Sequence, residues 1–351
     1  MVGIIAANNI RFSPYIFYYT KLLEKLNIDY EIIIPNRNPD LVDTRVDKVK
    51  IFSWNSRLPA AISYFLYCRK VKKYTCNKFD FLIILTTNIA VFSCRWLKRK
   101  FRKKYIVDIR DYTHENSKIF FFREKEVLQS ALLRVISSPK FQVFLPKNKY
   151  LICHNNVWGE SRPEYSPKKE KEKIVIGYVG ALAYKSQCQK MMDLIKKDDR
   201  FEFHLYGSGR AEEDLKLYAQ TLNCERIKFF GIYAPEEKES IIQRVDILFN
   251  AYGNSTPLVK YALSNKLYDS FYFCKPILNS PKTFMDEMGG ELSFAIDLLN
   301  ENNLNKLAHW YYNLNFKILN EYAQNQYEKI LEEEKGTKQT ISQVLLDENR
   351  K

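Results

Sequence analysis

The sequence predicts an α/β protein built from two successive domains, each with a parallel β-sheet. Its 351 residues exceed the usual size of a single domain. Short apolar runs, typical of buried parallel strands, alternate with amphipathic helical patterns along most of the chain. A polar stretch near the middle interrupts this alternation, which then restarts. Two α/β halves joined by a linker therefore account for the pattern.

The composition indicates a folded protein of a reducing compartment. Hydrophobic residues make up 46% of the chain and aromatic residues 15%, enough for two buried cores. No apolar run approaches the roughly 20 residues that span a bilayer, and the first ten residues are typical of a strand rather than a signal peptide. The 7 cysteines are scattered without CxxC spacing, so we expect neither a disulfide framework nor a zinc site. We therefore expect a cytoplasmic protein.

The first domain is predicted over residues 1–160. Its strands are the apolar runs at 3–7, 30–34, 79–85 and 105–109, with a helix over about 14–26. The segment SRPEYSPKKEKEK at 161–173 combines prolines with lysine and glutamate, which is typical of a linker.

The second domain is predicted over residues 174–320, followed by a helical tail at 321–351 that packs back on the first domain. Its strands are expected at 174–179, 201–206, 227–230 and 247–250, and its helices at 188–196, 212–221 and about 235–244. Residues 259–278 are predicted to form one helix that runs into a short strand. Residues 304–334 also have a helical pattern.

Several short motifs follow one another along the second half. They are GYVG at 177–180, LYGSG at 205–209, IKFFGIY at 227–233, VDILFNAYG at 245–253, SNKLYDS at 264–270 and KPIL at 275–278. A glycine at the carboxyl end of a strand lets the backbone approach a phosphate, although each such glycine also fits an ordinary turn. In their order, the motifs resemble the donor domain of GT-B glycosyltransferases, close to the family 4 type of bacterial capsule, O-antigen and exopolysaccharide biosynthesis.

This resemblance implies a fold, an activity and a set of donor-binding residues. The fold would be GT-B, with two Rossmann-like domains facing a central cleft, and the reaction would move a hexosyl group from a nucleotide sugar to a saccharide acceptor. Asp269 would hold the ribose of the donor and Lys266 its phosphates; a solvated carboxylate and a solvated lysine are the alternative interpretations. The other donor-binding candidates are Gly180, Lys185, Gly207, Gly209, Gly231, Tyr252 and Asn265.

Two positions depart from the family pattern. Tyr261 stands where the family has the first of two acidic residues, and Ala181 stands where it often has an arginine. Lys185 is the candidate for the missing positive charge. No DxD-type metal clamp is present, and fixed cations can stabilise a departing diphosphate without a metal. We therefore expect no metal and no cofactor, with the nucleotide sugar as substrate.

Polar residues after two strands of the first half are candidates for acceptor chemistry. The segment YIVDIRDYTHEN at 105–116 places acidic and histidine side chains just past a buried strand. An inverting enzyme needs a base there, whereas in a retaining enzyme the same residues would orient the acceptor. The base candidates are Asp111, Glu115 and His114, in that order. The acceptor-binding candidates are Asn9, Arg11 and Arg110; an ordinary capped loop is the alternative for the first two.

The positive charge of the chain lies in its first half. Residues 1–165 contain 29 Lys and Arg against 14 Asp and Glu, whereas residues 166–351 contain 26 against 27. Residues 95–104, RWLKRKFRKK, are predicted as a basic amphipathic segment, supported by residues 69–73 and the aromatic residues 120–122. We expect this half to bind the anionic inner face of the cell membrane, where a lipid-linked acceptor would be found; a solvated helix face is the alternative.

Two other functions fit the same motifs. One is a GT-B-fold sugar-nucleotide epimerase, which the basic first half does not explain. The other is a non-catalytic adaptor for membranes or nucleic acid, which Tyr261 keeps open. The chain has no RNP, KH or helix-turn-helix pattern, so we do not expect nucleic acid as a partner.

Overall fold

The computed structural model describes residues 1–10, 13, 15–37, 48–163 and 173–350. These residues form two compact units, one of Met1–His154 with Glu332–Lys351 and the other of Asn155–Leu331. Most of the predicted linker, residues 164–172, lies outside the described residues. Within these ranges, no helix has both the length and the apolar character that a transmembrane span requires.

The described part of the first unit contains a seven-stranded parallel sheet. The strands are β1 Val2–Ile5, β2 Tyr30–Asn36, β3 Val49–Ser53, β4 Phe81–Leu85, β5 Tyr105–Ile109, β6 Leu133–Ile136 and β7 Leu151–Ile152. Their order is β3-β2-β1-β4-β5-β6-β7. The helices are α1 Ile16–Lys25, α2 Ala60–Thr75, α3 Thr87–Phe92, α4 Cys94–Lys100 and α5 Lys118–Ser130. Strands β1, β4 and β5 are buried along their whole length, as expected of a parallel sheet covered on both faces.

The described part of the second unit contains a six-stranded parallel sheet of order β10-β9-β8-β11-β12-β13. The strands are β8 Ile174–Val179, β9 Phe201–Tyr206, β10 Ile227–Gly231, β11 Ile247–Asn250, β12 Ile277–Asn279 and β13 Ser293–Ala295. The helices are α6 Lys185–Lys197, α7 Glu212–Leu222, α8 Lys238–Arg244, α9 Pro257–Tyr261, α10 Asn265–Phe273, α11 Phe284–Gly289, α12 Asn303–Tyr312 and α13 Phe316–Asn349. The strand order in both sheets is that of a Rossmann-like fold, which places ligands at the carboxyl edge.

Helix α13 contributes to the cores of both units. Its first half packs Leu319, Tyr327 and Ile330 into the core of the second unit. Its last turns pack Ile341 and Leu345 against the strands of the first. The 34-residue helix would be about 50 Å long at 1.5 Å per residue, and the boundary between the two units falls within it, after Leu331.

Two segments that were predicted as continuous helices are each divided into two helices. Residues 259–273 do not form one helix, because the backbone is extended at Ala262 and Ser264 between α9 and α10. The Ser264 hydroxyl donates to Asn250 Oδ1 at 2.7 Å, which fixes the break against β11. The helical pattern at 304–334 is likewise divided between α12 and α13. In contrast, the strands predicted at 105–109, 174–179, 201–206 and 247–250 are confirmed at both ends.

Candidate functional site

Three glycine turns lie side by side at the carboxyl edge of the second sheet. Strands β8 and β9 pair from Ile174↔Phe201 to Val179↔Tyr206, so their turns begin at the same level. The Gly180 amide donates to the Tyr206 carbonyl at 2.9 Å, and the Gly207 amide donates to the Gly231 carbonyl at 2.6 Å. The glycines of the first three motifs therefore meet at one edge.

Close backbone packing explains why glycine occupies these turns. Gly180 and Gly207 have φ values of +130° and +119°, a region that other residues rarely adopt. A Cβ at Gly207 would lie 2.1 Å from the Gly180 carbonyl oxygen, and one at Gly209 would lie 2.5 Å from the Leu182 carbonyl oxygen. The turns leave no room for side chains between them.

Lys266 is buried beside the first of these turns. Its ammonium donates to the Tyr252 hydroxyl at 2.7 Å and lies 4.3 Å from the centre of the Tyr178 ring. The position of a Cβ on Gly180 would be only 3.4 Å from Lys266 Nζ. Burial lowers the pKa of Lys266 to about 7, although Asp269 acts in the opposite direction. The predicted phosphate-binding lysine is thus at the edge where a phosphate would approach.

Asp269 lies one helical turn beyond Lys266, and its side chain is only 1% exposed. Oδ1 accepts two hydrogen bonds, from Trp158 Nε1 at 2.7 Å and from Lys238 Nζ at 2.6 Å. Oδ2 is buried and accepts no hydrogen bond from the described part of the chain. A hydroxyl of a bound ligand would satisfy this oxygen, because a buried polar atom without a partner is costly.

The sequence reasoning missed several residues of this cluster. Lys238 and Trp158 belong to no motif, and only the fold brings them to Asp269. Tyr233 follows β10, and its pKa is raised to about 12 by burial and by the nearby charge of Asp269. Tyr184 stacks on Tyr252, with the ring centres 4.0 Å apart. Tyr233 ends the IKFFGIY motif, but the contacts of these aromatic residues depend on the fold.

The remaining donor candidates have different surroundings. Lys185 forms an exposed salt bridge of 2.8 Å with Asp214 of α7, and these contacts give no support to its predicted role. Asn265 is exposed at the first turn of α10. Gly231 has a φ of +72° with open space where a Cβ would be. Gly231 therefore leaves the backbone accessible beside the turn of Gly207.

A buried chain of hydrogen bonds between amide and hydroxyl side chains supports the start of α10. Asn250 Nδ2 donates to Asn279 Oδ1 at 2.6 Å, and Asn279 Nδ2 donates to Ser293 Oγ at 2.9 Å. With the hydrogen bond from Ser264 to Asn250, this chain joins the start of α10 to strands β11, β12 and β13. These hydrogen bonds restrict the movement of α10, which carries Lys266 and Asp269.

In the first unit, Arg110 is part of a buried ion pair. Its Nη2 donates to Asp108 Oδ2 at 2.6 Å, and its Nη1 donates to the Cys153 carbonyl at 2.9 Å. Tyr19 donates its hydroxyl to the same Asp108 oxygen at 2.7 Å. These bonds fix the predicted acceptor-binding arginine inside the unit, at the carboxyl end of β5.

The three base candidates follow this ion pair in the loop between β5 and α5. Asp111 is exposed, yet desolvation by the surrounding protein raises its pKa, and Arg110 opposes this effect. His114 is exposed and packs edge-on against Phe120. Glu115 is buried, and its carboxylate accepts hydrogen bonds from the Thr113 amide and hydroxyl at 2.6 and 3.1 Å. Burial raises the pKa of Glu115 despite these bonds.

The two remaining acceptor candidates are Asn9 and Arg11. Asn9 is buried rather than displayed on a loop. Arg11 lies outside the described residues.

The predicted basic segment forms one wall of a groove between α4 and α5. The groove has a volume of about 600 Å³. It is lined by Arg95, Lys98, Arg99, Lys118, Ile119, Phe122, Arg123 and Glu126. Ile119 and Phe122 are 76% and 62% exposed, whereas Leu97 and Phe101 are buried in the core. The apolar side chains Leu97 and Phe101 of the predicted basic segment therefore do not contribute to this surface, whereas Phe122, from the aromatic residues predicted at 120–122, does.

Comparison with known proteins supports the architecture. No protein-family model matches the chain, and no curated protein matches it. Among solved structures, sucrose-phosphate synthase from Thermosynechococcus elongatus is 10% identical with a TM-score of 0.72, covering 99% of this chain and 98% of that one. Anabaena Alr3699/HepE in complex with UDP and glucose is 12% identical with a TM-score of 0.69, covering 98% of each chain. The lipopolysaccharide outer core galactosyltransferase WaaB, in its apo form, is 13% identical with a TM-score of 0.66, covering 99% of each chain. The chain therefore has the GT-B fold that its sequence motifs predicted.

Proposed function

We propose that this protein is a glycosyltransferase that moves a hexosyl group from a nucleotide sugar to a saccharide acceptor. The observation that carries the proposal is the pair of Lys266 and Asp269, buried together beside the glycine turns of the second sheet. An ammonium at this edge suits a diphosphate, and a carboxylate with a bare oxygen suits a ribose hydroxyl. The HepE complexes with UDP and glucose and with UDP-glucose favour a uridine nucleotide as the first donor to test.

The chemistry follows from the charge that develops on the donor. As the sugar leaves, negative charge grows on the diphosphate, and a cation placed beforehand stabilises it. Lys266 would serve this role without a metal ion. If the reaction inverts the configuration of the sugar, Asp111 and Glu115, which follow β5 and have raised pKa values, are the candidates for the base that deprotonates the acceptor hydroxyl. If it retains the configuration, the same residues would orient the acceptor.

Donor binding is the first test. Saturation-transfer NMR would compare UDP-, GDP-, dTDP- and CMP-sugars with the wild type, Asp269→Ala and Asp199→Ala. Asp199 is exposed before β9, at the amino edge of the same sheet, and so provides a matched carboxylate control. We expect selective binding of one nucleotide, lost in Asp269→Ala and kept in Asp199→Ala. Binding of no nucleotide by the wild type would contradict the proposal.

Product analysis with the bound donor separates the enzyme classes. Slow release of the free sugar from the nucleotide without an acceptor is expected of a transferase. Inversion of a sugar carbon with the nucleotide still attached would indicate the epimerase alternative. Binding without any turnover, even with acceptor present, would indicate the adaptor.

We further propose that the groove between α4 and α5 attaches the protein to an anionic membrane surface that carries a lipid-linked acceptor of surface polysaccharide synthesis. Cations around two exposed apolar side chains are the combination that anionic headgroups and the acyl boundary require. Cosedimentation should show binding to phosphatidylglycerol vesicles and not to phosphatidylcholine vesicles. Ile119→Ser with Phe122→Ser should weaken it, while Leu217→Ser, an exposed leucine of α7, should not. Equal sedimentation with both lipids, or preference for RNA, would contradict this attachment.

A further inference from the structure

We propose that Lys238 is a second donor-binding cation, which contacts the diphosphate of the nucleotide together with Lys266. This inference rests on the proposed function and adds to it a residue that no sequence motif identifies. Lys238 is the first residue of α8, a helix that follows β10. Its ammonium is bound to Asp269, on the same helix as Lys266.

The charge balance of the cluster is the first argument. The charged groups that act on Lys266 are Asp269, which favours its ammonium form, and Lys238, which disfavours it. One carboxylate thus serves two lysines, in surroundings where Asp269 and Lys266 are 1% and 6% exposed. When both lysines are protonated, the cluster carries an excess of positive charge that is costly in such surroundings, and an anionic ligand removes the cost.

The accessibility of Lys238 is the second argument. Its side chain is 16% exposed, so it lies nearer to solvent than the carboxylate it binds. The ammonium also lies 5.1 Å from the centre of the Trp158 ring, whose own N–H is engaged by Asp269. A lysine ammonium has three donors on a flexible stem, so Lys238 can keep Asp269 and still donate to a phosphate oxygen.

Neither of the two candidate positions after the first glycine turn places a cation in this cluster. Ala181 follows the first glycine turn and has no charge, and Lys185 is committed to an exposed salt bridge with Asp214. Lys266 is the buried cation beside the first glycine turn, and a diphosphate carries at least two negative charges. Lys238 lies in the connection between β10 and β11 and supplies the second positive charge.

The test uses a ligand series that adds one phosphate at a time. Uridine, UMP and UDP would be titrated calorimetrically into the wild type, Lys238→Met, Lys238→Arg and Lys228→Met. Lys228 is an exposed lysine of β10 that pairs with Glu202, and it serves as the matched control. If the donor screen selects another nucleotide, its own nucleoside, monophosphate and diphosphate replace the uridine series.

We expect Lys238→Met to weaken UDP binding by about tenfold or more, because hydrogen bonds to charged groups are the strong ones. Uridine binding should change by less than about twofold, and Lys238→Arg should keep most of the UDP affinity. Lys228→Met should match the wild type. A loss that grows along the series is the signature of a contact with phosphate.

Other results would overturn the inference. An equal loss for uridine and UDP would mean that Lys238 only positions Asp269, and an unchanged UDP affinity would mean that it does not face the ligand. If Lys238→Met fails to fold, Lys238→Gln keeps a donor for Asp269 and removes the charge, and the same expectation applies. Failure of the wild type to bind any nucleoside diphosphate would instead refute the proposed function, so the two failures are distinguishable.

Discussion

Each unit contains a buried carboxylate bound to a cation, and the two clusters differ in charge balance. Asp108 pairs with Arg110 in the first unit, and Asp269 pairs with Lys238 in the second, both at 2.6 Å. In the first unit, the guanidinium also donates to the Cys153 carbonyl, and Tyr19 donates its hydroxyl to the same carboxylate oxygen, Asp108 Oδ2. In the second, the buried Lys266 adds another positive charge beside the same carboxylate.

The difference in charge balance is one basis for the proposal that the second cluster binds an anionic ligand. In the first unit one guanidinium faces one carboxylate, and breaking this pair leaves a buried charge. In the second, two lysines beside one carboxylate carry an excess of positive charge when both are protonated, and an anionic ligand can neutralise it. Stability and binding measurements on both clusters test this contrast.

Removing the carboxylate of the first cluster should cost the most. Asp108→Ala leaves the buried Arg110 without its counter-ion, and we expect a loss of about 3–5 kcal/mol in the free energy of unfolding. Urea unfolding followed by circular dichroism would measure it. Asp111→Ala, three residues further on and exposed, should change stability by no more than about 0.5 kcal/mol. Similar effects of the two substitutions would contradict the structural role of the Asp108–Arg110 pair.

The glycine turns of the second cluster should be almost as sensitive. Gly207→Ala combines a φ of +119° with a Cβ 2.1 Å from a carbonyl oxygen, so we expect a loss of about 3 kcal/mol. Gly231→Ala has the strained φ of +72° but open space, and should lose only about 1–2 kcal/mol. Thermal unfolding of both variants measures the difference. If Gly231→Ala lost as much as Gly207→Ala, the backbone contact would not be the cause.

The sequence predicted the second cluster better than the first, for a physical reason. Gly180, Gly207, Lys266 and Asp269 act through backbone geometry and helical spacing, which are local and therefore visible in a single sequence. Lys238, by contrast, reaches Asp269 only because parallel strands order α8 beside α10, over 31 positions of chain.

In the first unit, the burial of the candidate side chains could not be predicted from the sequence. The spacing of Asp111, His114 and Glu115 after β5 was visible, but the burial of Glu115 and the exposure of His114 depend on how the following loop packs. The break between α9 and α10 was missed for the same reason, since the contact from Ser264 to Asn250 is tertiary. Strand positions were predictable because buried parallel strands are continuous apolar runs.

A carboxyl group without a counter-ion gives a third prediction. Glu124 of α5 is fully buried, and neither of its oxygens accepts a hydrogen bond within the described residues. Burial, with a contribution from the charge of Glu115, raises its pKa to about 9. The folded protein therefore keeps this proton while the unfolded chain loses it above about pH 4.5, so stability falls as the pH rises from there towards 9.

Glu124→Gln mimics the neutral acid and should remove this dependence. We expect a gain of at least about 2 kcal/mol at pH 8 and little change at pH 4.5, from urea unfolding at both pH values. Glu126→Gln is the control, because Glu126 lies on the same helix with Lys98 as its partner. Equal stabilisation at both pH values would show that the proton on Glu124 is not responsible.

The excess charge of the second cluster should make donor binding depend on pH through Lys266. The groups around it are Asp269, Lys238, Tyr178, Tyr252 and Cys188. Burial raises the pKa of Tyr178, Tyr252 and Cys188, so these three stay neutral between pH 7 and 9. Because Lys266 has a pKa of about 7, it is partly neutral in this range and must take up a proton to meet a diphosphate.

This proton uptake determines how the UDP affinity changes with pH. UDP affinity should be greatest below about pH 7 and should weaken above it by at most about tenfold per pH unit, which is 1.4 kcal/mol. Calorimetry at pH 8 in buffers of different ionisation enthalpy should record uptake of up to one proton. Lys266→Arg keeps a permanent charge and should flatten the profile, whereas Lys228→Met should leave it unchanged. A profile that is flat in the wild type between pH 7 and 9 would mean that Lys266 is already charged, and the excess positive charge would then be present before any ligand arrives.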